Sequence, residues 1–355
     1  CGIMTLNIVQ TKTTSDTGEV LNGTAAIAHQ KEKAAAHEGV LTVERVQDEV
    51  AAYKALAFSK VDPADVAGLS DDAAYALMIQ AYDEDEFRAI YDSYYAYLLS
   101  PWKVGALEPY QVAAQLDDGA ADGFYEAVAG KLQRTLDNGM GGTWTYSDAE
   151  RAYWTEMRSS VSEPIEYGYS GGWDNIVNCF AFLVFAILAV CVTLAPVFSF
   201  EYQSGADAVV LATKHGRTRL VAAKILAALA YATVYFAICA AIIVGVSLAF
   251  YGADGFGLSI QSMALSSPYP LTAGQAALLS IGLMYAACLG FACLTLALSS
   301  RIRSTLPVFV ADVVLVLFTG LIPSAGVGAL ERALALFPLN FSNFTMLFSA
   351  LESYP

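Results

Sequence analysis

The sequence predicts an all-α membrane protein: a helical, acidic module over residues 1–172, then a polytopic helical bundle over 173–355. Three observations carry this. Residues 1–172 hold 12 Lys/Arg against 27 Asp/Glu, whereas 173–355 hold 7 of each, so the net charge of −15 sits in the first half. The second half contains uncharged runs of 26 residues (Asn175 to Phe200), 29 (Ile225 to Ala253) and 46 (Gly255 to Ser300). A fourth run, Ser304 to Leu330, is broken only by Asp312. A bilayer-spanning helix needs about 20 apolar residues, so spans are expected over roughly 175–200, 220–250, 272–299 and 304–323. The third observation is loop charge, and it sets the orientation.

Short loops rich in Lys/Arg stay on the cytoplasmic side. The 201–224 connection carries Lys214, Arg217, Arg219 and Lys224, and the 301–303 connection carries Arg301 and Arg303. The 252–273 connection between them has Asp254 and no basic residue. Alternation then puts residues 1–172, 252–273 and the tail from about 324 to 355 outside. Exporting the acidic module requires a preceding span, which the reading places upstream of Cys1; Cys1–Val9 reads as its outer end or as a core strand.

Within the module the apolar period is helical. Val43, Val46, Val50, Tyr53 and Ala57 form one stripe, and Phe124, Val128, Leu132 and Leu136 form another. Phe87, Ile90, Tyr91, Tyr94, Tyr95 and Leu98 follow the acidic run Asp83–Glu86, which suits a helix start, so one helix is expected there. Ser147 and Glu150 have capping-box spacing. The tyrosines at 91, 94, 95, 97 and 110 read first as core residues with phenolic tips at the surface, and second as a groove for a peptide or lipid.

Chemistry-bearing motifs are sparse. No GxxxxGK[ST], HExxH or GxSxG occurs, so no nucleotide-phosphate loop, zinc protease or hydrolase elbow is expected, and no enzyme activity or cofactor either. His29 and His37 lie eight apart without further His or Cys nearby, which argues against a metal. Cys179, Cys191, Cys239, Cys288 and Cys293 fall in the predicted spans and read as small packing residues. The acidic balance argues against nucleic acid. Asp312 is costly inside a span and is expected to face the bundle, a cavity or a partner subunit, or else to sit near the cytoplasmic edge within reach of water or of Arg301 and Arg303, with a substrate or proton role as the lesser reading.

The most specific stretch is PVFSFEYQSGADAVVLATKHGRTRLVAAKI, residues 196–225. It leaves one span through a phenylalanine-rich exit and Glu201, passes Gly205, turns at Lys214–Arg217 and re-enters after Lys224. Together with SEPIEYGYSGGWDNI before it, this resembles the permease subunits of ABC-2 type transporters, in bacterial members with a large domain after the first span. The resemblance covers residues 145–355, and the earlier module by position only.

That resemblance implies a membrane permease of six spans, of which this chain holds spans two to five, with the first before Cys1 and the sixth after Pro355. It implies a homo- or heterodimer in the bacterial cytoplasmic membrane, driven by a separate ABC ATP-binding subunit and exporting a peptide, drug or lipid-like substrate. Residues 201–219 would be the cytoplasmic coupling loop, with Glu201, Gly205, Lys214, Gly216, Arg217, Arg219 and Lys224 as the candidates for contact with the ATPase. The alternative is a membrane-anchored external sensor or binding module without transport.

Overall fold

A computed structural model of the chain describes residues 8–15, 19–138, 145–213 and 218–317, with 330, 333, 334, 337 and 338. The described residues are mostly helical with little sheet. They fall into two compact units. One comprises residues up to Asp174 together with Ala249–Gln275, and the other comprises Asn175–Leu248 and residues from Ala276 onward.

The first unit is a bundle of short helices. After a small antiparallel hairpin, β1 (Lys12–Thr14) and β2 (Val20–Asn22), come α1 (Thr24–Ala36), β3 (Gly39–Val40) and α2 (Val43–Ala57). Then follow α3 (Pro63–Val66), α4 (Asp71–Ala81), α5 (Glu84–Ile90), α6 (Ser93–Leu98), α7 (Pro109–Gln115), α8 (Phe124–Asn138) and α9 (Asp148–Ser159). β4 (Glu166–Tyr167) returns to pair with β3.

The expected stripes are the core. Val46, Val50, Tyr53 and Ala57 of α2 pack with Met78, Ile90, Leu98, Tyr110, Phe124 and Val128 in one cluster. Each large apolar side chain taken from water there contributes about 2 kcal/mol. Tyr53 keeps its hydroxyl satisfied by donating to Ile90 O at 3.1 Å.

One expectation needs correcting. The single helix over 87–98 is two helices, because Asp92 takes an extended backbone and caps α6 by accepting from Tyr94 N–H at 2.9 Å. Asp83 and Glu86 form a capping box that starts α5, and Ser147 with Glu150 forms the one expected at α9.

The 249–275 stretch belongs to this first unit. Leu265 lies in its core, and Tyr97 donates to Gln261 O at 2.9 Å. Gln261 Nε2 in turn holds Ser267 O and Tyr269 O at 2.8 and 2.9 Å. Gly255 sits at φ +77°, and a Cβ there would stand 2.4 Å from Tyr169 O, so only glycine fits.

The second unit is built from long apolar helices. Gly171–Ser204 is one 34-residue helical run; within it lie α10 (Gly171–Cys179), α11 (Leu183–Leu194) and α12 (Pro196–Ser204). After α13 (Asp207–Ala212) come α14 (Arg219–Tyr251), α15 (Ala273–Ser299) and α16 (Thr305–Leu317). Gly171–Ser204, α14 and α15 are each long and apolar enough to cross a membrane. The fourth expected span, 304–323, is described only through α16, which has 13 residues; its remainder and the tail 324–355 lie largely outside the described residues.

Leu226, Val234 and Ile238 of α14 and Leu278 of α15 are exposed, a surface that hydrocarbon stabilises and water does not. Polar contacts tie the helices instead. Asn175 Nδ2 donates to Ser247 Oγ at 2.8 Å, and the Thr233 and Tyr285 hydroxyls meet at 2.9 Å.

Candidate functional site

The stretch singled out by sequence begins at a helix break. Pro196 has no N–H to give and its ring crowds the preceding turn, so the helix must find other partners for the backbone groups it frees. Ser299, the last residue of α15, lies at this break and bonds to the backbone just around it. Its hydroxyl donates to Ala195 O at 2.7 Å and accepts from the Phe198 and Ser199 N–H groups, each at 3.0 Å.

Ser199 is buried, and its own hydroxyl donates to Ala195 O at 2.7 Å. Since that hydrogen is committed, Thr305 is the donor in the 2.9 Å contact between the Ser199 and Thr305 hydroxyls. Further along α12, Tyr202 donates to Ser300 O at 3.1 Å and Gln203 Nε2 to Ser304 Oγ at 3.1 Å. The helix that leaves the break is therefore hydrogen-bonded along its length to residues 299–305.

Glu201 and Lys224 meet across the connection. They form an ion pair in which both side chains are largely covered. Lys224 Nζ also donates to Val197 O at 3.0 Å and lies 5.1 Å from the Phe198 ring centroid. Glu201 and Lys224 thus close the start of the loop onto the start of α14, and their charges are turned inward.

Gly205 ends α12 in the left-handed region at φ +69°. Its N–H reaches Tyr202 O, and Ala206 N–H reaches Glu201 O at 3.0 Å, which is the pattern of a glycine-terminated helix. On α13, Val209 is 70% exposed. Arg219 opens α14 and is exposed. Lys214, Gly216 and Arg217 lie outside the described residues.

The latch residues Ser199, Ser299 and Thr305 are absent from the sequence reading. Hydroxyl residues are common in such helices, and only the proximity of Pro196 hints that one is needed.

Asp312 stands apart from this segment. It is fully buried in α16, and its Oδ2 lies 2.9 Å from Thr295 Oγ1.

The first unit holds a cavity of about 660 Å³, lined by Thr13, Lys33, Arg88, Asp92, Tyr94 and Tyr167 among others. Its cations are occupied. Lys33 pairs with Asp92 at 3.4 Å, and Arg88 pairs with Asp85 at 2.8 Å and Glu84 at 3.1 Å. His37 stacks on Tyr94 with ring centroids 3.8 Å apart, and Tyr94 donates its hydroxyl to Glu49. Burial holds His37 below the usual imidazole range, against the opposing pull of Glu49 and Asp92. Tyr167 is pushed up to about 12, again chiefly by burial. Among the described residues no cluster of His, Cys, Asp and Glu is arranged to hold a metal.

No protein-family model, curated protein or solved structure matches this chain.

Proposed function

We propose that the chain is the membrane-spanning subunit of an ATP-driven exporter of the ABC-2 permease type. In this reading residues 1–172 and the 249–275 stretch face outside, and residues 201–219 meet a separate ATP-hydrolysing subunit on the cytoplasmic side. The observation that carries it is the latched helix α12. A segment that receives motion from a soluble partner must pass it to the spans, and Ser299, Ser300, Ser304 and Thr305 fix α12 to the α15–α16 connection at five hydrogen-bonding contacts or more. Glu201 and Lys224 brace the same helix to α14.

In this reading the expected contacts divide into two roles. Glu201 and Lys224 are positioning residues within the segment. The described surface left for a partner is α13 with its exposed Val209, together with the exposed Arg219; Arg217 stays a candidate from the resemblance alone.

The test is ATPase stimulation in a reconstituted complex of full-length permease and ATP-binding subunit. Val209→Asp is expected to lower stimulation at least tenfold, whereas the pair swap Glu201→Lys with Lys224→Glu keeps most of it. Full stimulation with Val209→Asp and Arg217→Glu combined overturns the assignment.

A second reading, a membrane-anchored binding module that pumps nothing, is favoured by the cavity between β1, α1 and α5–α6. A protein that binds an external ligand there yet forms no complex with any ATPase supports that reading.

A further inference from the structure

We infer that Asp312 is a proton-binding site of the membrane unit, held as a neutral carboxylic acid that donates its hydrogen to Thr295. The inference rests on the chain being a membrane protein and does not depend on the transporter reading.

Hydrogen counting gives the first argument. Thr295 Oγ1 lies 2.8 Å from Phe291 O and 2.9 Å from Asp312 Oδ2. A threonine hydroxyl has one hydrogen and two acceptor lone pairs. It can donate to one of these oxygens only. If it serves Phe291 O, the second contact is a hydrogen bond only when Asp312 itself carries a hydrogen.

Electrostatics decides between this arrangement and an ionised carboxylate. Asp312 is fully buried, and among the described residues Oδ1 has no hydrogen-bond partner. Among the described residues an anion there would have a single donor and no counter-ion. The helices packed around it offer none: α11 and α15 contain no charged residue, and their titratable groups are Cys191, Tyr285, Cys288 and Cys293. On α12 the only charge is Glu201, an anion already paired with Lys224. Burying an uncompensated charge costs far more than leaving one neutral acceptor unsatisfied.

Depth agrees with this. Asp312 is the eighth residue of α16, so it lies about 10 Å along the helix from Thr305. An aspartate side chain is far shorter than that distance, so it does not reach back to the end of the helix.

The site therefore binds a proton while α15 and α16 are packed, and releases it when water reaches Oδ1.

Infrared spectroscopy of the full-length protein in lipid vesicles at neutral pH tests it, with heavy-isotope aspartate to identify the band. The expected result is a protonated-carboxyl C=O band that shifts with the label and is lost in Asp312→Asn. Thr295→Val should keep the band but move it to higher frequency, because the donated hydrogen bond is gone. If Asp312→Asn fails to fold, the labelled wild-type and Thr295→Val spectra decide on their own. A purely ionised Asp312 at neutral pH overturns the inference, as does a carboxylate band that appears or sharpens with sodium or potassium, which would mark a metal-cation site.

Discussion

Ser299 shows how much one side chain can determine. It meets three backbone groups around the break at Pro196. Ser299→Ala leaves the buried Ser199 N–H and the part-buried Phe198 N–H without that acceptor, and buried unsatisfied donors cost about 1–3 kcal/mol each. The expected loss is roughly 2–4 kcal/mol, read as a lower unfolding temperature of the purified protein; an unchanged temperature would mean the break is satisfied some other way. His37 gives a pH prediction. Its folded pKa is lowered, so as pH falls through the ordinary imidazole value the unfolded chain takes up a proton before the folded one does. Stability is therefore highest above that value and declines with acidification until the lowered folded pKa is passed. His37→Gln should flatten this part of the stability–pH curve measured on the whole protein. Little of this was legible in the sequence. The residue types at 299 and 37 are visible, but their value depends on neighbours about 100 and 57 positions away in the chain.

At the scale of elements the sequence was most informative where one physical rule acts locally. The α2 and α8 stripes and the Ser147 cap follow from helical period and capping, and they stand where the pattern put them. The helix over 87–98 split because two rules competed: the apolar period continues through Asp92, yet Asp92 is also a strong N-cap. Asp92→Ala should cost about 1 kcal/mol through the lost cap, while Asp92→Asn retains most of that stability because asparagine caps equally well. Equal losses in the two variants would place the effect in the Lys33 pair instead. The brace between α12 and α14 predicts a coupled pair. Glu201→Ala and Lys224→Ala should each destabilise, and the double variant should lose less than their sum, as a double-mutant cycle would read.

For the molecule as a whole, charge partition and uncharged runs point to the helices that are long and apolar enough to cross a membrane. They could not reveal that 249–275 folds with the module, since Leu265 and Gln261 carry no signal for contacts so distant in sequence. That association makes a sidedness prediction. Cysteines replacing Asp118 and Ala253 should both react with a membrane-impermeant maleimide on intact cells, and one replacing Gln203 only after lysis; opposite behaviour at 118 and 253 contradicts the shared unit. The coupling function is the part that sequence resemblance proposes and geometry supports through the latched α12. Its most direct measurement is site-specific photo-crosslinking in the assembled complex from Val209, the exposed apolar residue of α13. An adduct with the ATP-binding subunit is expected from position 209 and none from position 118. Absence of that adduct at 209, or an equal yield from 118, would contradict the coupling function.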